Sequence, residues 1–273
     1  PSLKGRIKPA VEIMAAVPSV VVGFLAGLWL APLMDKHLLA LFLATVMVPA
    51  MLMAAILAWR PLAEKTEIGR NLKGYEFLGL LPVVVLALWL SGQLAIPLEA
   101  TFFGADLKQW LYSALGVRYD QRNSIIIAIA LGFAVIPIIF TIAEDALSNV
   151  PRNLSAASLA LGASRWQTAW RVVLPSALPG VFSAIMIGFG RAVGETMIVL
   201  MATGNTPIMS WSLFNGLRSL SANIAVEIPE APLNGTLYRT LFLSAVLLFV
   251  LTFIINTAAE LLRQRFRKKY GRY

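Results

Sequence analysis

The chain has no cysteine and a single histidine. The first absence excludes a disulfide framework and any thiolate metal centre or nucleophile. The second leaves only His37, beside Asp35 and Lys36 in a short loop, where it reads as a solvated residue and not as a metal ligand. Charge is scarce as well: Asp, Glu, Lys and Arg are 14% of the 273 residues, against 58% hydrophobic residues and a mean hydropathy of +0.75. Such values lie outside the range of soluble domains and describe an integral membrane protein. No G-x-x-x-x-G-K-[ST] run is present to cradle nucleotide phosphates, and no serine, cysteine or histidine constellation for covalent catalysis. The chain is therefore expected not to be an enzyme, and to bind no metal or cofactor of its own. It opens at Pro1 without a cleavable signal segment, and the missing initiator methionine suggests residues upstream.

What is present is six apolar runs of about 20 residues, the length a helix needs to cross the hydrocarbon of a bilayer. They lie near 11–33, 38–59, 77–97, 124–144, 180–203 and 240–260. None alternates as a barrel strand would, so the predicted fold class is an all-α integral membrane protein with six transmembrane helices. Lysine and arginine are unequally placed: 16 sit at one set of helix ends and 6 at the other, with Arg191 inside a span. The positive-inside rule then predicts both termini in the cytoplasm. The net charge of +9 needs no nucleic acid, because the tail "RQRFRKKYGR" is a juxtamembrane basic cluster suited to anionic lipid headgroups. Residues 1–273 read as one transmembrane domain, with external loops at 98–123 and 204–239 and a cytoplasmic loop at 145–179.

The fifth run, "VFSAIMIGFGRAVGETMIVLM" (181–201), holds Arg191 and Glu195 in its middle. A charge there costs at least about 2.5 to 3.5 kcal/mol, so such groups face the protein interior and pair. Read as one continuous helix, the two residues are four apart on one face and can neutralise each other. Gly190 and Gly194 form a G-x-x-x-G pattern that would admit a neighbouring helix, with Gly188 extending the strip. One reading makes the pair a packing salt bridge. The other makes it functional, since two apolar residues would pack there without desolvation cost. Thr203 and Asn205 close the run and could line a vestibule. Arg218, Asn223, Glu227 and Glu230 belong to a loop that either receives a partner or is simply solvated, and Glu144 and Asp145 read as a solvated helix end. Pro18 and Pro137 interrupt spans and are expected to kink them.

The cytoplasmic segment "VPRNLSAASLALGASRWQTAWRVVLPSALPG" reads as two short helices. The first starts near Pro151 with Asn153 or Ser155 to cap it, bends at Gly162, and is followed by a stretch from Ser164 to Val173 that ends before Pro175. Such short helices need a surface to lie on. That surface is either the bilayer interface or a groove on a partner protein.

"AASLALGASRWQTAWRVVLP" resembles the EAA loop shared by membrane subunits of bacterial ABC importers, and "GRAVGETM" with "MATGN" resembles more narrowly the permeases of phosphate importers, the PstC and PstA pair. "VEIMAAVPSVVVG" leans to the PstC side. The resemblance covers residues 7–33 and 124 to about 260. It implies a MetI-like permease bundle that moves phosphate across the bacterial inner membrane. It also implies three partners: an ATP-binding subunit dimer that holds ATP and Mg, a second homologous permease, and an extracytoplasmic phosphate-binding protein. Ala157, Leu161, Gly162 and Ala163 are the implied contacts to the ATPase, while Arg191, Glu195, Thr196 and Asn205 are the implied substrate path. The guanidinium fork suits phosphate oxygens, and Glu195 would neutralise Arg191 between anions.

Two departures stand out. The glutamate that names the loop is Ala156 here, and the spans at 38–97 have no counterpart in the compact family and read as an inserted helical hairpin. Family members also carry a span before the "AAVPS" helix, which implies a chain truncated at its start. Rival readings are an ABC permease for another oxyanion, or a gradient-driven transporter or channel using the pair as an ion relay.

Overall fold

A computed structural model describes the backbone of residues 4–65, 76–104 and 106–270, and the side chains of 7–58, 80–104 and 106–265. Much of the basic asymmetry (Lys4, Arg6, Arg60, Lys65, Arg70, Lys73 and the tail from Arg267 to Arg272) lies outside the described side chains. Every regular element among the described residues is helical. They are α1 (Lys4–Ala16), α2 (Ser19–Leu25), α3 (Ala31–Lys36), α4 (Leu38–Lys65), α5 (Glu76–Phe102), α6 (Leu107–Leu115), α7 (Ser124–Ser148), α8 (Arg152–Ala160), α9 (Arg165–Thr168), α10 (Leu174–Gly194), α11 (Met197–Ala202), α12 (Leu220–Glu227) and α13 (Thr236–Tyr270). Among the described residues six stretches are long and apolar enough to cross a membrane: Ser19–Lys36, Leu38–Ala58, Leu80–Phe102, Ser124–Ser148, Arg165–Gly194 and Thr236–Arg265.

The first and fifth spans depart from their sequence-based bounds. The first does not run unbroken from residue 11. Pro18 has no N–H to give and adopts an extended ψ of 138°, so α1 ends at Ala16 and the span begins at Ser19. The fifth starts 15 residues earlier than expected, at Arg165, and stops at Gly194. The stretch from Ser164 does not end before Pro175. A π turn at Ala169–Val173 joins α9 to α10, and its wider winding accommodates a proline that lacks an N–H.

The chain packs as two compact units, Pro1–Trp29 with Arg122–Tyr273, and Leu30–Gln121. The second unit contains the 38–97 hairpin, α4 packed along α5, together with α3 and α6. Leu38, Leu39, Ala95, Leu107 and Leu111 form its core. Asp106 accepts from the amides of Lys108 and Gln109 to start α6, and Gly116, at φ 64°, ends it. Lys108 pairs with Asp35 at 2.9 Å. What reads in sequence as an external loop at 98–123 is therefore largely a helix extension and an amphipathic helix. His37 is an exposed residue closing α3.

In the first unit, α10 lies along α7 through small residues at helical spacing: Ala177, Gly180, Ala184 and Gly188. A methyl group at Gly180 would collide with Ala146, and one at Gly188 would stand 2.5 Å from Ile139 Cγ1 and 2.9 Å from Val135 Cγ1. The close approach to α7 uses this row; of the expected pair, Gly190 faces α13 instead, where a Cβ would stand 3.2 Å from Asn256 Oδ1, and at Gly194 nothing lies within 4 Å. A second close approach joins α2 and the following π turn to α11. There Gly23 and Gly27, themselves a G-x-x-x-G pair, rest on the backbone of Met197, Ile198 and Met201. Buried Pro137 lies inside α7, which continues through it. At the far end of α7, Lys8 of α1 donates to Glu144 at 3.1 Å, with Asp145 at 3.9 Å. Glu144 is a mostly covered anchor for α1 and not a solvated helix end, whereas Asp145 is exposed. The bond to Glu144 holds the Lys8 ammonium above its usual 10.5, so the lysine keeps its charge at neutral pH and its share of the pair is lost only as pH rises through that raised value.

Candidate functional site

The apolar run 180–203 is two helices with a break between them. Glu195 closes α10 with φ −69° and ψ 125°, an extended geometry, and Thr196 precedes α11. The local reason is legible: Gly194 is a poor helix former, Thr196 is β-branched, and the Thr196 hydroxyl turns back to the Gly194 carbonyl at 3.4 Å. A break inside a membrane span frees backbone groups that need partners from neighbouring elements. Here Ser221 of α12 donates its hydroxyl to the Glu195 carbonyl at 3.2 Å.

The expected i, i+4 ion pair is not formed. Arg191 lies in the last turn of α10 with an exposed side chain, Glu195 is half-buried at the break, and among the described residues no ion pair joins them. The φ of Glu195 is still helical, and its extended ψ redirects only the chain beyond it, so Thr196 and α11 leave the line of α10. The consequence is chemical: a guanidinium stands at the end of a half-helix without a carboxylate fastened to it.

Asn205 sits beyond α11 at φ 56°, after Gly204 at φ 69°. Its amide donates to the buried Thr203 hydroxyl at 3.0 Å, its carbonyl accepts from Arg218 Nε at 3.2 Å, and its side-chain Oδ1 is buried without a partner among the described residues. Sequence reasoning left Arg218, Asn223 and Glu227 in a loop that either receives a partner or is solvated. They form a network in which one guanidinium nitrogen of Arg218 donates to Asn223 at 3.0 Å and to Glu227 at 2.9 Å. The 204–239 segment is tied down at other points too. Ser124, at the start of α7, donates its amide and hydroxyl to the Asn215 carbonyl at 3.1 and 3.0 Å. A Cβ at buried Gly216 would stand 2.7 Å from the Thr203 carbonyl. The available signal was the chain's sparing use of charge, which makes an arginine and a glutamate nine residues apart a candidate pair.

At the opposite end of α10, α8 and α9 form a helix, glycine turn and helix. Gly162 has φ 86°, a conformation that favours glycine, and Ser164 and Gln167 make a reciprocal capping box. Neither Asn153 nor Ser155 caps α8: Pro151 occupies that position, and Asn153 Oδ1 reaches only the amide of Leu154. The Ser158 and Thr168 hydroxyls hold the two helices together at 3.0 Å. Ala157 and Gly162 are exposed, Ala163 is half-buried, and Leu161 at the tip is 89% exposed. Trp166 and Trp170 stand edge to face beside it, both exposed. No group of three metal-ligating side chains occurs among the described residues.

Comparison with known proteins adds a family match and three relatives. The family model of the binding-protein-dependent transport system inner membrane component matches residues 3–268. The phosphate transport system permease protein PstC of Pasteurella multocida is 31% identical over 204 residues, 72% of this chain and 62% of that protein. PstC of Mesorhizobium japonicum is 34% identical over 53% of this chain and 44% of its own. The probable ABC transporter permease protein YqgH of Bacillus subtilis is 32% identical over 50% and 44%. The chain thus spans about half the length of the curated relatives it matches. No solved structure matches it.

Proposed function

Because the chain belongs to the family of binding-protein-dependent transport system inner membrane components, we propose that it is the PstC-like transmembrane subunit of an ATP-driven phosphate importer. The observation that carries this reading is Arg191, an exposed guanidinium in the last turn of a membrane helix that breaks four residues later. Broken membrane helices place ion-binding groups in the interior of transporters, and a guanidinium meets an oxyanion with a fork of donors. Phosphate binds Arg191 with help from the Thr196 hydroxyl. Glu195, on the hinge-like residue of the break, competes for the guanidinium afterwards and lets the anion leave. Asn205 and the Arg218 network shape the mouth above.

The working complex pairs this chain with a second homologous permease, a dimer of ATP-binding subunits that holds ATP and Mg, and an extracytoplasmic phosphate-binding protein. It sits in the bacterial inner membrane with both termini in the cytoplasm. The ATPase grips the tip around Ala157, Leu161, Gly162 and Ala163. Support for that contact comes from Leu161, an almost fully exposed leucine on a turn too short to be stable alone. Because α9, the π turn and α10 form one helix of 30 residues, about 45 Å at helical rise, motion at the tip reaches Arg191 through a continuous rod.

The test is ATP-driven uptake of labelled phosphate by the full complex in liposomes, with Arg191→Gln alongside and sulfate in excess. Uptake that resists sulfate and disappears in the assembled mutant is expected. Normal uptake in Arg191→Gln returns the motif to a packing role, and block by sulfate reassigns the cargo to another oxyanion.

A further inference from the structure

The last spanning helix carries an unusual row of polar residues. After the apolar stretch from Leu241 to Ile255, α13 presents Asn256, Glu260, Arg263 and Gln264, spaced by four, three and one, on one side. A helix face turned to lipid does not carry such a row, since polar and ionisable groups at membrane depth face protein or water. The row faces α10. Asn256 Oδ1 lies 3.2 Å from where a Cβ would stand on Gly190, next to Arg191. Two adjoining cavities of about 160 and 370 Å³ open between α10 and α13, both lined by Ser183, Ile187, Glu260 and Arg263. The smaller one reaches Asn256, and a third of about 400 Å³ meets it at Asn256 and Glu260.

The register of the two antiparallel helices turns these points into a line. Gly190 is level with Asn256, while Ser183 and Gly180 share a cavity with Glu260, Arg263 and Gln264. The furrow descends about 12 Å, from the level of Arg191 toward the end of the rod that bears α8. At its foot Glu260 accepts from Arg263 at 2.8 Å and from Gln264 at 3.0 Å, and both partners of the pair are close to half exposed. Asn256 and Ser183 have no hydrogen-bond partner among the described residues. Polar groups without partners, on a furrow that runs from the level of Arg191 down to Arg263, suit a hydrated oxyanion that exchanges contacts as it moves.

We propose that this furrow is the lower half of the anion path, and that Arg263, released from Glu260 as the anion arrives, is a second oxyanion-binding group. The inference rests on the reading of Arg191 as the upper contact. It assigns the carboxylate exchange partner as well: Glu260 at the foot does what Glu195 does at the break. Ser183 and Asn256 supply hydroxyl and amide donors between the two stations.

A chain without cysteine permits a direct test in the full complex in liposomes. Ser183→Cys, Asn256→Cys and, as a lipid-facing control, Leu247→Cys are exposed to a membrane-impermeant methanethiosulfonate from each side in turn. The reacting species is the thiolate, which forms only where water reaches, so Ser183→Cys and Asn256→Cys are expected to react at least about tenfold faster than Leu247→Cys. Phosphate should slow both reactions. No labelling above the control means that the furrow is covered by another helix, and labelling that no anion slows makes it a water crevice; either overturns the proposal. Protection by sulfate and not by phosphate leaves the furrow standing and removes phosphate as the cargo. For Arg263 the test pairs Arg263→Gln with Glu260→Gln, so that no unpaired carboxylate is left. Uptake should fall about tenfold or more, the loss of a charge-assisted hydrogen bond, with Arg263→Lys in between. Wild-type uptake in the double variant overturns the role of Arg263.

Discussion

Arg191 owes its exposure to residues that are not charged. Gly194 and Thr196 weaken the helix around Glu195, and the Ser221 hydroxyl takes up the carbonyl that the break would otherwise leave unsatisfied. Further support comes from the opposite side, where Gly27 brings the π turn of the first span onto the Met201 carbonyl of α11. Gly27→Ala drives a methyl group into that backbone and is expected to cost about 1 to 3 kcal/mol, read as a lower thermal unfolding midpoint of the purified complex. Gly132 in α7 has nothing within 4 Å, so Gly132→Ala serves as the comparison. It should be neutral or gain up to about 1 kcal/mol of helix stability. Equal effects of the two substitutions would contradict the close approach of α11.

At the scale of elements, the Arg165–Gly194 rod connects two sites that look unrelated in sequence. Its irregularities are the π turn at Ala169–Val173, next to the exposed tryptophans, and Pro179, which removes one intrahelical hydrogen bond. A load applied at Leu161 therefore passes along a helix that continues through both, and the first place where the helix stops is the break at Glu195. Leu161→Asp places a charge where an apolar contact is proposed. It should weaken association with the ATP-binding subunit by about tenfold or more, measured by co-purification and by nucleotide-dependent uptake, because an unpaired carboxylate in an interface is costly. Phosphate binding at Arg191, measured on the permease pair alone, should be unchanged. Full retention of the ATPase by the variant would move the coupling contact elsewhere.

At the scale of the whole molecule, the proposed orientation rests on the unequal distribution of lysine and arginine over the ends of the six spans. Met209 and Trp211, in the segment between α11 and α12, are fully exposed, as is most of Leu161. With cysteine placed at each, an impermeant thiol reagent on intact cells should label Met209→Cys and Trp211→Cys. Leu161→Cys should react only after permeabilisation. The reverse pattern would invert the orientation. The unit Leu30–Gln121 has its own core and its own ion pair, Asp35 with Lys108.

Six helices, their apolar character and the tip of α8 were readable from composition and run length, because lipid leaves the backbone one way to satisfy itself. Arg191 and Glu195 stood out for the same reason, as charges where charge is costly. Their separation did not show. A run of apolar letters is equally compatible with one helix and with two, and only the neighbouring Ser221 and the glycine-seated α11 decide between them. The glycines followed the same logic. Gly190 and Gly194 carry the familiar spacing, yet the tightest approaches are those of Gly180 and Gly188 to α7 and of Gly23 and Gly27 to α11, while Gly190 meets Asn256 of α13 and Gly194 meets nothing, because the row that faces a neighbour is set by how the helices cross. Asn256 and Glu260 drew no notice at the end of an apolar span, and Arg263 was read only as the start of a basic cluster suited to lipid headgroups. They acquire meaning once α10 lies opposite, since a polar row is a path only when a second wall faces it.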